Sequence, residues 1–146
     1  MLNENKLSFK AIFIGLLVDY IGSIVLGTLQ FFVVMASSWK QGVNITETLL
    51  SLKMLSISFF LGIICSILGG YVAAKISKHN EIKHALFVGI LSDGISIVMN
   101  IIGTIAIPFW YSVSSIILVV PAAIFGGYLG RKSNQSKSLK LKKQIQ

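Results

Sequence analysis

The stretch KAIFIGLLVD at positions 10–19 recurs as HALFVGILSD at positions 84–93. Over positions 11–21 and their counterparts 85–95, six of eleven residues are identical, and the matches include a glycine and an aspartate. Both copies are mostly apolar around that aspartate, Asp19 or Asp93. A carboxylate at the centre of a membrane helix costs about 2.5–3.5 kcal/mol on insertion scales, so such a residue usually faces the interior of a bundle. The stretch therefore predicts two related membrane helices with an aspartate on the interior face of each.

The composition extends this prediction to the whole chain. Of its 146 residues, 54% are hydrophobic and only 12% are charged, against about a quarter in soluble domains. Apolar runs long enough to cross the hydrocarbon core, at ~20 residues each, cover 11–36, 54–74, 84–107 and 110–129. We predict an all-α integral membrane protein, a single four-helix transmembrane domain over 1–146. The first run is too long for a cleaved signal peptide and contains Asp19.

A second pair of similar segments suggests an internal repeat. Gly69-Gly70-Tyr71 is followed by Lys75, and the same pattern returns 57 positions later at 126–128 with Lys132. Each copy would be a helical hairpin that returns the chain to the same side of the membrane. The hairpins would then be parallel, related by a pseudo-two-fold axis along the membrane normal. The alternative is chance similarity among Ile, Leu and Gly.

Basic residues set the predicted orientation. Eleven of the thirteen lysines and arginines precede the first run, separate the second from the third, or follow the fourth, and only Lys40 and Lys53 lie in the other two loops. Such a bias places the richer side in the cytoplasm, so both termini are predicted to be cytoplasmic. The net charge of +8 is distributed as a topology signal, not as a basic face interleaved with aromatic residues, so no nucleic-acid partner is predicted.

Local signals refine the connections between the runs. Asn44 and Glu47 resemble a capping box that would start the second helix near Ile45. Pro121 lies inside the fourth run and predicts a kink there. The segment 131–146 holds six basic residues. We interpret it as a flexible cytoplasmic tail that contacts anionic lipid headgroups.

The two aspartates allow two interpretations. Gly15, Asp19, Ser23 and Gly27 share one face of the first helix, as do residues of the third helix that include Asp93, Ser96 and Asn100. If the carboxylates face each other, they cannot both ionise easily, so at least one stays protonated near neutral pH. Such a protonatable pair is the least that proton or ion coupling requires. In the other interpretation, the protonated aspartates donate hydrogen bonds to Ser23, Ser96 or Asn100 and only hold helices together.

Small residues form ridges on the other two helices. Gly62, Ser66 and Gly70 recur every four residues on the second, and Gly126 and Gly130 do so on the fourth. Such ridges allow backbones to approach closely. We expect packing within the chain, with a homo-oligomer or a partner membrane protein as the alternative.

Catalytic and metal-binding motifs are missing from the sequence. There is no His-Glu-x-x-His, nucleophile elbow or P-loop, and the lone Cys65 excludes an intrachain disulfide. His79 and His84 flank the basic loop, where an interfacial role is expected. We predict neither enzyme activity, nor a cofactor, nor a metal site.

Residues 69–91 carry a family resemblance. The pattern Gly-Gly-Tyr-x-Ala-x-Lys at 69–75, followed by a short basic loop and His-Ala-x-x-x-Gly-x-Leu at 84–91, resembles small uncharacterised four-helix membrane proteins of Gram-positive bacteria and archaea. The resemblance implies architecture and a prokaryotic plasma membrane. Small multidrug-resistance transporters also have four helices and an acidic residue in the first, but this chain has Asp19 instead of Glu, a second aspartate and a strong charge bias.

These observations leave two functions open. One is an accessory, regulatory or immunity-type protein that acts through helix contacts. The other is a proton- or ion-coupled small transporter that uses Asp19 and Asp93.

Overall fold

The computed structural model describes residues 7–42, 44–77, 79–103 and 107–145. These residues form five helices and no strand: α1 (Phe9–Gln41), α2 (Ile45–Leu49), α3 (Leu52–Ser77), α4 (Glu81–Ile102) and α5 (Phe109–Ile145). Four of them, α1, α3, α4 and α5, are long and apolar enough to cross a membrane. This confirms the all-helical, multi-pass prediction. Lys6 and Lys78, two of the predicted topology signals, lie outside the described residues.

Several helix ends differ from the apolar runs. The third run was expected to extend to residue 107, but α4 ends at Ile102 and Gly103 is extended, with φ −66° and ψ 147°; residues 104–106 lie outside the described part. A short helix does begin at Ile45, with the Asn44 side chain accepting a hydrogen bond from the Thr46 amide at 2.9 Å. It ends at Leu49 and is separate from α3.

The last helix is longer than expected. It continues without interruption through Pro121 and through the basic segment to Ile145. Residues 131–145, for which a flexible tail was expected, are therefore helical. Good helix formers such as Lys, Arg, Leu and Gln favour this extension. Asn134 Nδ2 also donates to the Ala74 carbonyl at 3.2 Å and so joins the extension to the end of α3.

The long helices form one bundle whose two ends differ. At what we call the basic end, α1 and α4 begin and α3 ends; at the far end, α1 and α4 end and α3 and α5 begin. Hydrogen bonds between α4 and α1 or its N-terminal cap join residues 72 to 76 positions apart, close to the sequence repeat of 74. The bundle is not symmetric: α3 contacts α4, but α1 and α5 do not touch within the described residues.

Small residues pack backbone against backbone towards the basic end. A Cβ atom at Gly70 would collide with the Ala123 carbonyl oxygen, and one at Gly126 with the Ile67 carbonyl oxygen. Ala73, Ala74, Ala85 and Ala123 are fully buried. Large apolar side chains instead cover the outside of the bundle, among them Phe13, Ile24 and Phe60. This inversion suits a hydrocarbon solvent, in which apolar side chains need no burial.

Candidate functional site

Asp19 is held between three helices. Its side chain is 2% exposed, its Oδ2 accepts a hydrogen bond from Ser92 Oγ of α4 at 2.6 Å, and its Oδ1 accepts one from Ser66 Oγ of α3 at 3.2 Å. Gly69 makes this approach possible, because a Cβ there would lie 2.9 Å from the Asp19 Cβ. Asp19 therefore works as a hydrogen-bond centre between α1, α3 and α4.

Asp93 has a different environment. Its side chain is only 7% exposed, yet its Oδ2 is fully buried and has no hydrogen-bond partner within the described residues. The sequence similarity shows one difference at this point. Ser66, which donates to Asp19, corresponds to Ala123 when the two similar segments are aligned at 57 positions, and alanine has no hydroxyl to donate.

Asp93 lines a cavity of about 890 Å³ that lies mainly between α3, α4 and α5. Its lining runs from Ser23, Ser66 and Asp93, near the middle of their helices, to Ile107 and Phe109 at the far end. The cavity therefore reaches one aspartate of the pair from one end of the bundle. Asp19 is not among the lining residues.

Three other polar side chains of the cavity donate hydrogen bonds within the protein. Ser96 Oγ donates to the Ser92 carbonyl at 2.9 Å, and Ser115 Oγ donates to the Ser112 carbonyl at 2.8 Å. Asn100 Nδ2 donates to Ser112 Oγ at 3.2 Å. In these bonds the side-chain hydrogens are donated to other protein groups. The lone pairs of the side-chain oxygens stay available as acceptors in the cavity.

The structure places the predicted polar residues in the cavity but not on the aspartates. Ser23, Ser96 and Asn100 all line the cavity, whereas the donors to Asp19 are Ser66 and Ser92. Within the described residues, the bonds to Asp19 therefore come from other serines than those considered in the sequence. The side chains along one helix share a face, but the neighbouring helices decide what meets that face.

The predicted small-residue positions also separate into two groups. Gly70, Gly126 and Gly130 lie in the contact between α3 and α5, where a Cβ on Gly130 would be 2.7 Å from the Tyr71 carbonyl oxygen. Ser66 bonds to Asp19. Gly62 lines the cavity, and a Cβ there would meet nothing within 4 Å. Gly62 thus does not pack against another helix within the described residues.

Sequence reasoning missed three polar contacts. Ser92 was overlooked although it immediately precedes Asp93 and lies three residues after Gly89, a spacing that could have identified it. Gln30 Nε2 donates to the Met54 carbonyl at 3.0 Å, and its Oε1 accepts from Ser58 Oγ at 2.9 Å. His84, at the start of α4, is 1% exposed. Its Nε2 accepts from the Ser8 amide at 2.8 Å.

Among the described residues, no group of three or more His, Cys, Asp or Glu side chains could hold a metal ion. Comparisons of the chain with protein-family models, with curated proteins and with solved structures found no match.

Proposed function

We propose that this chain is a non-enzymatic, proton- or ion-coupled small transporter in which Asp93 is the cation-binding group. One observation carries the proposal: Asp93 is buried without a partner and lines a large cavity. A buried carboxylate without a hydrogen bond or counter-charge is costly. Binding a proton or another cation removes that cost, whereas a residue that only holds helices together would have a partner, as Asp19 does.

The proposal includes an orientation and an internal repeat. With both termini in the cytoplasm of a prokaryotic plasma membrane, the cavity would open away from the cytoplasm, and the closely packed basic end would close the cytoplasmic side. The contacts of α1 with α4 at the repeat distance support two parallel hairpins.

A membrane-impermeant maleimide tests the orientation in a Cys65→Ala background. It should label Glu47→Cys in intact cells and Ser138→Cys only after permeabilisation.

The basic extension of α5 suits a contact with anionic lipid. Its basic residues follow directly on the apolar part of the helix, with Arg131 and Lys132 at the boundary. Each basic residue near an anionic surface contributes about 1 kcal/mol of attraction. We include anionic headgroups among the proposed partners.

A second candidate function rests on a groove on the surface of α4. It is lined by Ile90, Leu91, Gly94, Ile95, Val98, Met99 and Ile102. A Cβ at Gly94 would meet nothing within 4 Å, so another helix could approach there. An accessory, regulatory or immunity-type protein, or a homo-oligomer, would use this groove because Gly70, Gly126 and Gly130 are already occupied within the chain.

Flux measurements in proteoliposomes distinguish the two functions. The purified protein is reconstituted with a pH-sensitive dye inside, and a pH gradient is imposed with and without a panel of inorganic cations and small amines. The transporter proposal expects pH-dependent flux that disappears in Asp93→Asn and persists in Glu47→Gln, the same chemical change on an exposed residue. Flux that survives Asp93→Asn, or no flux across the panel, would overturn it and leave the partner-binding alternative.

A further inference from the structure

The hydrogen-bonding character of the cavity points to a class of solute. The hydroxyl hydrogens of Ser66, Ser96 and Ser115 are donated to Asp19 or to carbonyls of their own helices. Asn100 uses an amide hydrogen on Ser112 and keeps its carbonyl oxygen as an acceptor. With Asp93, the cavity therefore offers a solute several acceptors, beside the hydroxyls of Ser23, Tyr111 and Ser112.

The charge of the cavity has one sign. Asp93 is its one carboxylate, and no Lys, Arg or His is among its described lining residues. An anionic solute would meet a carboxylate and several oxygen lone pairs without a compensating cation. A cationic solute would bring a counter-charge to the Asp93 carboxylate, whose Oδ2 has no hydrogen-bond partner.

The size and walls favour an organic cation over a metal ion. Calcium takes six to eight oxygen ligands, commonly with several carboxylates, and the described residues contain no acidic cluster of that kind. The volume of about 890 Å³ lies within the usual range of small-molecule pockets, about 300–1,000 Å³. Ile63, Ile97 and Val119 make part of the wall apolar. Phe59 and Tyr111 add aromatic rings whose centroids lie 5.7 Å apart.

The acceptor-rich surface further restricts the cation. A primary ammonium group carries three N–H donors, as the lysine side chain does, and each can be accepted by an oxygen. A quaternary ammonium carries none and would leave those oxygens buried without donors, which is costly. We propose, on the basis of the transporter function above, that the cavity binds a small primary amine with its ammonium on Asp93 and an apolar or aromatic body against Phe59 and Tyr111.

The proposal can be tested with two matched probes, 2-phenylethylammonium and its N,N,N-trimethyl analogue. Binding of each to the full-length protein in detergent is measured by titration calorimetry. We expect the primary amine to bind at least about tenfold more tightly than the quaternary analogue, and Asp93→Asn to weaken it by a similar factor. Ser96→Ala should weaken the primary amine and leave the quaternary analogue unchanged. Glu47→Gln should change neither affinity.

The outcomes separate this inference from the proposed function. Equal or tighter binding of the quaternary analogue would overturn the primary-amine assignment while Asp93-dependent flux still supported a transporter. The absence of amine binding together with Asp93-dependent proton or metal-ion flux would likewise overturn the primary-amine assignment and support a transporter. If neither binding nor flux depends on Asp93, the proposed function itself fails. Thermal unfolding of Asp93→Asn, expected at or above the wild-type temperature, ensures that lost binding reflects the site and not misfolding.

Discussion

The two hairpins of this chain carry the same aspartate in different states. In the first, formed by α1 and α3, Asp19 accepts hydrogen bonds from Ser66 and Ser92. In the second, formed by α4 and α5, the Asp93 Oδ2 has no hydrogen-bond partner and the side chain lines a cavity. Two aspartates in similar sequence segments thus lie in different environments. The difference arises from neighbours on other helices, as the replacement of Ser66 by Ala123 at the equivalent position illustrates.

The packing of α3 shows a similar division along a single helix. At Gly70 a Cβ would collide with the Ala123 carbonyl oxygen, whereas at Gly62, two turns away, it would meet nothing within 4 Å. Towards the basic end the helices are in backbone contact, and towards the far end they enclose the cavity. The closely packed half holds Asp19 against α3 and α4, and Asp93 lines the cavity of the other half.

The largest effect should come from breaking the closely packed half. We expect Gly70→Ala to lower the free energy of unfolding by about 2–3 kcal/mol, because the added methyl must displace a backbone carbonyl in a close-packed contact. The matched control is Gly62→Ala, which adds the same methyl to open space and should change stability by less than about 1 kcal/mol. Unfolding in mixed micelles, followed by far-UV circular dichroism, measures both. Equal losses at the two positions would contradict the division of α3 into a packed and an open half.

The next effect concerns the aspartates themselves. Asp19→Ala should lower the free energy of unfolding by about 1–2 kcal/mol, because the buried hydroxyls of Ser66 and Ser92 lose their acceptor. Asp93→Ala should leave stability unchanged or raise it, since it removes a buried carboxylate that no group satisfies. The same unfolding assay compares the two variants.

A double-mutant cycle sharpens this comparison. Ser92→Ala should cost about 0.6 kcal/mol or somewhat more in the wild-type background, as hydrogen bonds between membrane helices do. It should cost almost nothing once Asp19 is alanine. Additive losses, or an Asp93→Ala variant as unstable as Asp19→Ala, would show that the hairpins do not divide their roles in this way.

Much of the fold could be predicted from sequence, for identifiable reasons. A helix in hydrocarbon needs a long apolar run, so the four spanning helices are visible in composition alone. The ends were less certain, because they depend on backbone geometry: the extended Gly103 ends α4 short of the apolar run, and the contact of Asn134 with Ala74 continues α5 into the basic segment.

The site could be predicted only in part. Spacing along a helix identifies which residues share a face, and on that basis Asp93, Ser96 and Asn100 were grouped. It does not identify which residues of another helix meet that face, so Ser66 and Ser92 were missed as partners of Asp19. The cavity could not be predicted either, because a void depends on the crossing of helices, and Gly62 has the same sequence signature as Gly70.

The smallest expected effect concerns the basic end, where the repeat pairs His84 with Lys10. His84 is buried and its Nε2 accepts the Ser8 amide hydrogen at 2.8 Å, while Lys10 is exposed. His84→Leu puts an apolar side chain in the place of the imidazole and removes the Nε2 acceptor. Exchange of the Ser8 amide should therefore accelerate roughly threefold to tenfold, the equivalent of one ordinary hydrogen bond, with little change in global stability. Lys10→Leu is the control at the equivalent position and should leave that amide unaffected. Hydrogen exchange followed by NMR in micelles measures both variants, and unchanged Ser8 exchange in His84→Leu would mean that the start of α1 is held by its own first turn rather than by α4.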